Sequence, residues 1–212
     1  MAPYNGWEVT NPQIFQTSKS IPPKPLGVFW DIEKCKVQNG KSAMAVCEEI
    51  RKQQFCEGYQ EILFAVVCDA TKAKSSVLEE LEKAQVDIIH VASNKSYATY
   101  DKIKQLMRRF SDLHSDGSRI VLISGDMEFA ADITDYKQRM CMSVILLHNS
   151  NASESLISAA SQAQNFYDII STFPMKHDAS ASTIQYEITK TIVSNLPSVS
   201  VYTISKTNNK DL

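Results

Sequence analysis

Long apolar runs and an excess of charge of one sign are both missing from this sequence of 212 residues. No stretch of 18 consecutive apolar residues occurs, so the sequence predicts no membrane-spanning helix. The first residues also lack the apolar core of a signal peptide. The net charge of −2 and the pI near 6.1 exclude a uniformly basic nucleic-acid binder but leave room for a local basic patch. We expect a soluble protein of the cytoplasm, with the nucleus as the alternative.

Paired cysteines and glycine-rich phosphate loops are missing too. The cysteines are odd in number, contain no C-x-x-C pair, and are Cys35, Cys47, Cys56, Cys68 and Cys141. This pattern predicts reduced thiols rather than a disulfide framework or a zinc site. No G-x-G-x-x-G or P-loop motif follows the first predicted strand, so dinucleotide- and NTP-binding folds lack their main support.

Three apolar runs in this sequence each end in an aspartate. Residues 26–30 run into Asp31, residues 62–68 into Asp69, and residues 120–125 into Asp126. Continuous apolar runs of this length are typical of strands buried on both faces of a parallel sheet. The carboxyl ends of parallel strands share one edge, and ligands bind there. We therefore expect an acidic pocket at that edge, joined by Glu33.

Helical spacing alternates with predicted strands over residues 25–174. Two further strands are predicted near residues 86–91 and 143–147, with helices from about 42, after 69, over 98–114, after 126, and from the fifth strand to about 171. Such alternation predicts a five-stranded parallel sheet in a three-layer α/β/α domain. Residues 1–24 form a polar, proline-rich extension in this interpretation, and residues 175–212 form a polar tail.

The aspartates admit a structural and a functional interpretation. Asp69 and Asp126 precede predicted helices, where Asp is a favoured N-cap, and taken singly each is better explained that way. Asp101 falls in the first turn of its helix, where the helix dipole favours acids. That helix starts at the same edge of the sheet, which brings Asp101 to the rim that holds Asp31.

Crowded carboxylates repel one another, so they bind protons or a cation. Oxygen ligands without His or Cys select a hard ion, here Mg²⁺ or Mn²⁺. Such an ion can polarise a phosphodiester and activate a water molecule. We expect Asp31 and Asp126 to be the main metal ligands, with Asp69 and Asp101 either completing the catalytic set of ligands or holding those ligands in place.

Lysines surround the predicted acidic edge. Loop lysines are usually only solvated, but a ring of them beside acids suggests a polyanionic substrate. The set is Lys34, Lys36, Lys41, Lys72, Lys74, Lys95 and Lys102. Tyr97 and Tyr100 could stack on unpaired bases, although tyrosines are more often partly buried.

Residues 28–33, 67–69 and 122–129 resemble the NYN domains of the PIN-like nuclease superfamily, and most of all the limkain-b type. The likeness runs from about residue 25 to residue 173. It implies a PIN-like fold with strand order 3-2-1-4-5 and Mg²⁺- or Mn²⁺-dependent cleavage of single-stranded RNA. The family's acids fall on Asp31, Asp69 and Asp126, with one more at the start of the helix over residues 98–114.

The sequence departs from this family at three positions. Tyr100 fills the first of two slots that are usually acidic, which leaves only Asp101. Lys34 stands in a slot usually held by Asn, and Glu128 in one where Asp or Asn is common. A neutral phenol cannot replace a carboxylate ligand, so weaker metal binding follows.

Three functional hypotheses result. The first is a metal-dependent endoribonuclease acting in RNA silencing or mRNA turnover, with single-stranded RNA and other RNA-regulatory proteins as partners. The second is a catalytically weakened or inactive NYN domain that serves as an RNA-binding module. The third, a receiver-like or phosphatase-like domain, is the weakest, because His148 stands where a Lys is expected. Residues 191–197 also resemble the first strand of an RNA-recognition motif, of which only a remnant would fit in the tail.

Overall fold

The computed structural model describes residues 22–54, 58–92, 97–114 and 117–171. The predictions for Lys95, for most of the N-terminal extension and for the tail over residues 175–212 lie outside the described residues. Within these ranges the strands are β1 Lys24–Asp31, β2 Tyr59–Cys68, β3 Asp87–His90, β4 Arg119–Ile123, β5 Ser143–His148 and β6 Gln162–Asn165. The helices are α1 Ala43–Gln54, α2 Ser75–Lys83, α3 Ala98–Leu113, α4 Phe129–Arg139, α5 Glu154–Ala159 and α6 Phe166–Ser171.

All six strands pair in parallel, in the order β3-β2-β1-β4-β5-β6. Side chains alternate across the central strand β1: Trp30 faces a core with α1, α2 and α6, and Phe29 faces a core with α3, α4 and α5. Both side chains are fully buried. The predicted three-layer α/β/α architecture is confirmed.

The prediction of five strands was wrong by one. A helix was expected from the fifth strand to about residue 171, but β6 interrupts it and pairs with β5 at the edge of the sheet. Its sequence is Gln-Ala-Gln-Asn, and three of its four residues are exposed. A short polar edge strand carries no apolar run and no alternation, so the sequence gives no signal for it. The order 3-2-1-4-5 is correct, and β6 extends it.

None of the described helices is long and apolar enough to cross a membrane. Four cysteines fall in the described ranges and all carry free thiols, three of them buried and Cys141 exposed. Burial raises the pKa of the Cys35 and Cys47 thiols to about 12, so both are unreactive at neutral pH.

Candidate functional site

The carboxylate at the end of the central strand is buried. Asp31 has 1% of its surface exposed. Its Oδ1 accepts hydrogen bonds from the backbone N–H groups of Glu33 (3.1 Å) and Lys34 (3.2 Å), and its Oδ2 accepts one from the Ser124 hydroxyl (3.3 Å). Burial raises the pKa of Asp31 to about 6, because desolvation outweighs these hydrogen bonds and the nearby Lys34 charge.

Ser124 joins Asp31 to the neighbouring strand end. Its oxygen donates to Asp31 and accepts a hydrogen bond from the backbone N–H of Asp126 at 3.2 Å. The Asp126 Oδ1 accepts from the Glu128 N–H (3.2 Å), and its Oδ2 lies 3.3 Å from the Lys34 ammonium. Both oxygens of Asp126 therefore have partners within the chain.

The loop after β1 is fixed in a way that places Lys34. The Trp30 indole N–H donates to the Cys35 carbonyl oxygen at 2.8 Å, and the Asn149 side-chain amide donates to the Lys34 carbonyl oxygen at 3.1 Å. Asn149 can approach because residue 125 is glycine: a Cβ at Gly125 would overlap the Asn149 amide. With its backbone held on two sides, Lys34 reaches Asp126 across the edge of the sheet.

The end of β2 carries a second buried acid. Asp69 is 6% exposed, and its Oδ1 accepts hydrogen bonds from the Thr71 backbone N–H (3.1 Å) and hydroxyl (2.6 Å). Its Oδ2 lies 3.4 Å from the Lys72 ammonium. The contact with the N–H two residues ahead is an Asx turn, a local turn stabilised by the aspartate side chain.

Glu33 links the end of β2 to the start of α3. Its Oε1 accepts the Asp69 backbone N–H and its Oε2 accepts the Thr99 hydroxyl, both at 3.4 Å. Glu33 therefore lies at this edge, as predicted, and two hydrogen bonds hold its carboxylate there.

The N-cap interpretation of Asp69 and Asp126 was wrong. Helix α2 begins at Ser75 with Lys74 in the N-cap position, and α4 begins at Phe129 with Glu128 in that position. Both aspartates act a few residues earlier, where each accepts the backbone N–H two residues ahead.

His90 also lies at this edge, at the end of β3. Its Nδ1 is 3.9 Å from Asp69 Oδ1 but accepts the Ala70 backbone N–H at 3.1 Å. A nitrogen that accepts that hydrogen bond carries no proton, so the short distance to Asp69 is not an ion pair.

Helix α3 contributes Tyr100 and Asp101, which point to different surroundings. The Tyr100 hydroxyl donates to Asp132 Oδ2 (2.9 Å) and accepts from the Lys104 ammonium (3.1 Å), and its ring packs on Phe129 at 4.8 Å between centroids. Tyr100 thus belongs to the contact between α3 and α4. Asp101 is exposed, and within the described ranges no hydrogen bond or ion pair joins its side chain to Asp31, Asp69 or Asp126.

The described side chains do not form a ready-made site for a Mg²⁺ or Mn²⁺ ion. In the part of the chain that the structure describes, no three His, Cys, Asp or Glu side chains are placed to share a metal. Both oxygens of Asp31, Asp69 and Asp126 are engaged by N–H, hydroxyl or ammonium groups. Each carboxylate oxygen keeps a further lone pair, so the ligand set Asp31, Asp69, Asp101 and Asp126 stays a prediction that would need these side chains to move closer together.

The predicted RNA-binding lysines fall into separate groups. Lys36, Lys72 and Lys74 line one cavity together with Lys41, whereas Lys34 is engaged with Asp126. Lys102 donates to Gln105 on its own helix at 3.2 Å. Tyr97 is 60% exposed at the start of α3 and is the more accessible of the two tyrosines. RNA contact by any of these residues stays a prediction.

Sequence reasoning missed Ser124, Thr99 and Asn149. Ser124 carried a usable signal, because a hydroxyl interrupts an apolar strand just before an aspartate, and the residue is fully buried. Thr99 and Asn149 gave none: one is a polar residue in a helix and the other lies in a loop, and only the fold brings them to this edge.

Three neighbouring strands of this parallel sheet, β2, β1 and β4, each lead into an acid at the same edge. This arrangement is consistent with a PIN-like α/β/α domain. The model of the NYN domain family matches residues 25–169, and the chain belongs to that family. Among curated proteins it is similar to Meiosis regulator and mRNA stability factor 1, the limkain-b type, from Xenopus tropicalis and from Gallus gallus. Each is 39% identical over 159 residues, which is 75% of this chain and 9% of the relative. The protein of that name from Mus musculus is 38% identical over the same length.

The chain therefore spans about 9% of the length of these relatives. Among solved structures, a protein of unknown function from Vibrio parahaemolyticus superposes with a TM-score of 0.56 at 14% identity, covering 72% of this chain and 98% of the other. That likeness supports the fold alone.

Proposed function

We propose that this NYN domain binds single-stranded RNA at the carboxyl edge of its sheet without efficient metal-dependent cleavage. One observation carries the proposal: the Lys34 ammonium lies 3.3 Å from the Asp126 carboxylate. Lys34 occupies the slot that usually holds Asn in this family. The negative charge of Asp126, which a divalent cation would neutralise, is already compensated by the ammonium of Lys34.

The electrostatics of this pair favour the ammonium over an exchangeable ion. Asp126 is only 17% exposed, so the interaction is screened less than one at the open surface. A Mg²⁺ ion would have to displace Lys34, retain an octahedral shell and find further carboxylates. Tyr100 offers none, because its hydroxyl is bound to Asp132 and Lys104.

RNA as the ligand is supported by the family and by the lysines. The relatives are named for mRNA stability, and we extend a connection with RNA from them to this domain. Lys36, Lys41, Lys72 and Lys74 lie together beside the acidic edge, which gives the chain a local basic surface despite its net charge of −2. Lysines supply the phosphate contacts that dominate affinity for nucleic acid.

A second candidate is the metal-dependent endoribonuclease, with Mg²⁺ or Mn²⁺ as cofactor. The burial of Asp31 favours it, because a carboxylate at the end of the central strand with a pKa of about 6 is held in a poorly solvated place that a cation would relieve. The ligands would be Asp31, Asp69, Asp101 and Asp126, and the RNA would be held by the same lysines. We place both candidates in the cytoplasm.

The two candidates are separated by measuring binding and cleavage of the same RNA. A labelled single-stranded RNA is titrated with the whole chain, with and without Mn²⁺, and products are followed on a gel. We expect saturable binding and no metal-dependent product. The double variant Lys34→Asn with Tyr100→Asp should gain Mn²⁺-dependent cleavage, because it removes the ammonium that pairs with Asp126 and restores the Asn and the acid that the resembling family usually has at these two positions.

The matched control is the same double variant carrying Asp31→Asn, which should remain inactive. Wild-type cleavage that needs Mn²⁺ and vanishes in Asp31→Asn would establish the second candidate instead. Absence of any RNA binding by the wild type would contradict both.

A further inference from the structure

A cavity of about 580 Å³ opens between the loop after β1 and the loop after β2. One wall consists of residues 32–33 and 36–41, and the other of residues 68–69, 72–74 and 76–77. Its volume falls in the range of small-molecule sites, about 300–1,000 Å³. The cavity lies on the β2 side of Asp31, away from the Lys34–Asp126 pair.

The charged groups of this cavity favour an anion. Four lysines line it against two acids, and the full charged set is Lys36, Lys41, Lys72, Lys74, Glu33 and Asp69. Both acids already have partners: Asp69 pairs with Lys72 at 3.4 Å, and Glu33 accepts hydrogen bonds from Asp69 N–H and Thr99. Helix α2 also begins at this wall, with no acidic residue in its first turn. Its N-terminal partial positive charge adds to the same field.

The remaining lining gives the cavity an apolar side. Ile32, Val37 and Val77 are half-buried and pack against the core under the sheet. Lys74 donates to the Asn39 side-chain oxygen at 2.8 Å, so the two loops are tied together across the cavity. A site with apolar side chains on one side and several ammonium groups around it suits a ligand that is part flat and apolar and part anionic.

We propose that this cavity binds one nucleotide of the RNA, with the base against Ile32, Val37 and Val77 and the phosphate among Lys36, Lys41 and Lys74. The inference rests on the proposed RNA binding and adds where a nucleotide is held. It predicts that affinity depends on space inside the cavity as well as on charge at its rim. A free nucleoside monophosphate has the same chemistry and is the alternative source of the ligand.

The test fills the cavity without removing a charge. Ser76 lines the cavity and is exposed, whereas its neighbour Ser75 on the same first turn of α2 does not line it. We expect Ser76→Trp to weaken binding of a single-stranded RNA about tenfold, roughly the effect of losing one well-held base. Ser75→Trp, the matched control, should bind within about twofold of wild type. Thermal melts of both variants check that the fold is kept.

A second variant covers the case in which Ser76→Trp does not fold. Lys74→Gln should lower the slope of log K against log salt by ~0.7, the loss of one phosphate contact on a single strand. Lys83→Gln, at the opposite end of α2 and outside the cavity, should leave the slope unchanged. RNA carrying 4-thiouridine should also crosslink to residues 32–41 or 68–77 on irradiation.

Three other outcomes would contradict the cavity inference, the proposed function or the assignment to RNA. If wild type binds RNA and both Ser76→Trp and Lys74→Gln bind it equally well, the cavity inference is wrong and the proposed function stands. If wild type binds no RNA, the proposed function fails and the inference falls with it. If uridine or adenosine monophosphate binds in a Ser76→Trp-sensitive way while RNA binding is insensitive, the cavity serves a free nucleotide and the RNA assignment is overturned.

Discussion

The carboxyl edge of the sheet has two halves, one on either side of Asp31. Both contain acids and lysines, but in one half these residues pair with each other and in the other they surround a cavity. Toward β4, Lys34 and Asp126 form an ion pair, and Ser124 connects Asp126 to Asp31 by hydrogen bonds. Toward β2, four lysines surround a cavity of about 580 Å³. We call residues Asp31, Lys34, Ser124 and Asp126 the closed half and the cavity lining the open half.

The difference shows that acids and lysines at one edge of a sheet can either pair with each other or surround an open cavity. In the closed half the Lys34 ammonium compensates the Asp126 carboxylate within the chain, so mutations there should change stability. In the open half the cations outnumber the acids, so mutations there should change ligand binding. This contrast gives measurable expectations for each half.

The largest expected effect is stabilisation by Asp31→Asn. The pKa of Asp31 is raised from 3.8 to about 6, so the folded state holds a proton more tightly than the unfolded chain does. The ionised form is disfavoured in the folded state, and stability falls as pH rises from about 4 through 6 and then stays low. A shift of this size corresponds to roughly 3 kcal/mol above pH 7. Asp31→Asn should recover stability of that order at pH 7.5 and lose the pH dependence between 4 and 6.

Denaturant unfolding across pH 4–8 measures this effect. The control is Asp101→Asn, at an exposed acid for which we expect a change within about 0.5 kcal/mol. A wild-type stability that rises between pH 4 and 6, with Asp31→Asn less stable at pH 7.5, would contradict the burial argument.

The next effect concerns Ser124, the connector of the closed half. Ser124→Ala removes the donor to Asp31 and the acceptor for the Asp126 N–H, in a residue that is fully buried. Leaving such groups without partners costs about 1–3 kcal/mol. Ser76→Ala, an exposed serine of the open half, is the control and should change unfolding free energy by less than about 0.5 kcal/mol. Equal effects for the two serines would remove the distinction between the halves.

The sequence predicted the parts of this edge that depend on strand ends, and missed those that depend on tertiary contacts. Asp31, Asp69 and Asp126 were found because an apolar run that ends in an acid places that acid at the edge of a parallel sheet. Strand β6 was missed because its residues are polar and exposed. The Lys34–Asp126 pair was missed because it depends on Asn149 and Trp30 holding the loop, which sequence spacing does not encode.

A smaller effect is expected from Lys34→Gln. The pair with Asp126 is half-exposed on the lysine side, at 49%, so its loss should lower stability by no more than about 1 kcal/mol. Because the Lys34 charge lowers the pKa of Asp31, the variant should titrate Asp31 at a higher pH than wild type. Carboxyl NMR of labelled aspartate measures the titration, and denaturant unfolding measures the stability. An unchanged Asp31 titration would show that Lys34 does not reach this carboxylate.

The smallest effect on stability, and the sharpest test of the contrast, is expected from Lys74→Gln in the open half. Lys74 is exposed, and its ammonium donates to Asn39 Oδ1 at 2.8 Å. A glutamine amide keeps a donor at that place, so the unfolding free energy should change by less than about 0.5 kcal/mol. RNA affinity at low salt should nevertheless fall, because one phosphate contact is lost.

Lys34→Gln should show the reverse, with lowered stability and RNA affinity close to wild type. Denaturant unfolding measures the stability of the two variants, and fluorescence anisotropy measures their RNA affinity on the same preparations. If Lys34→Gln weakens RNA binding as much as Lys74→Gln does, the closed half also contacts the ligand, and the division of the edge into two halves is wrong.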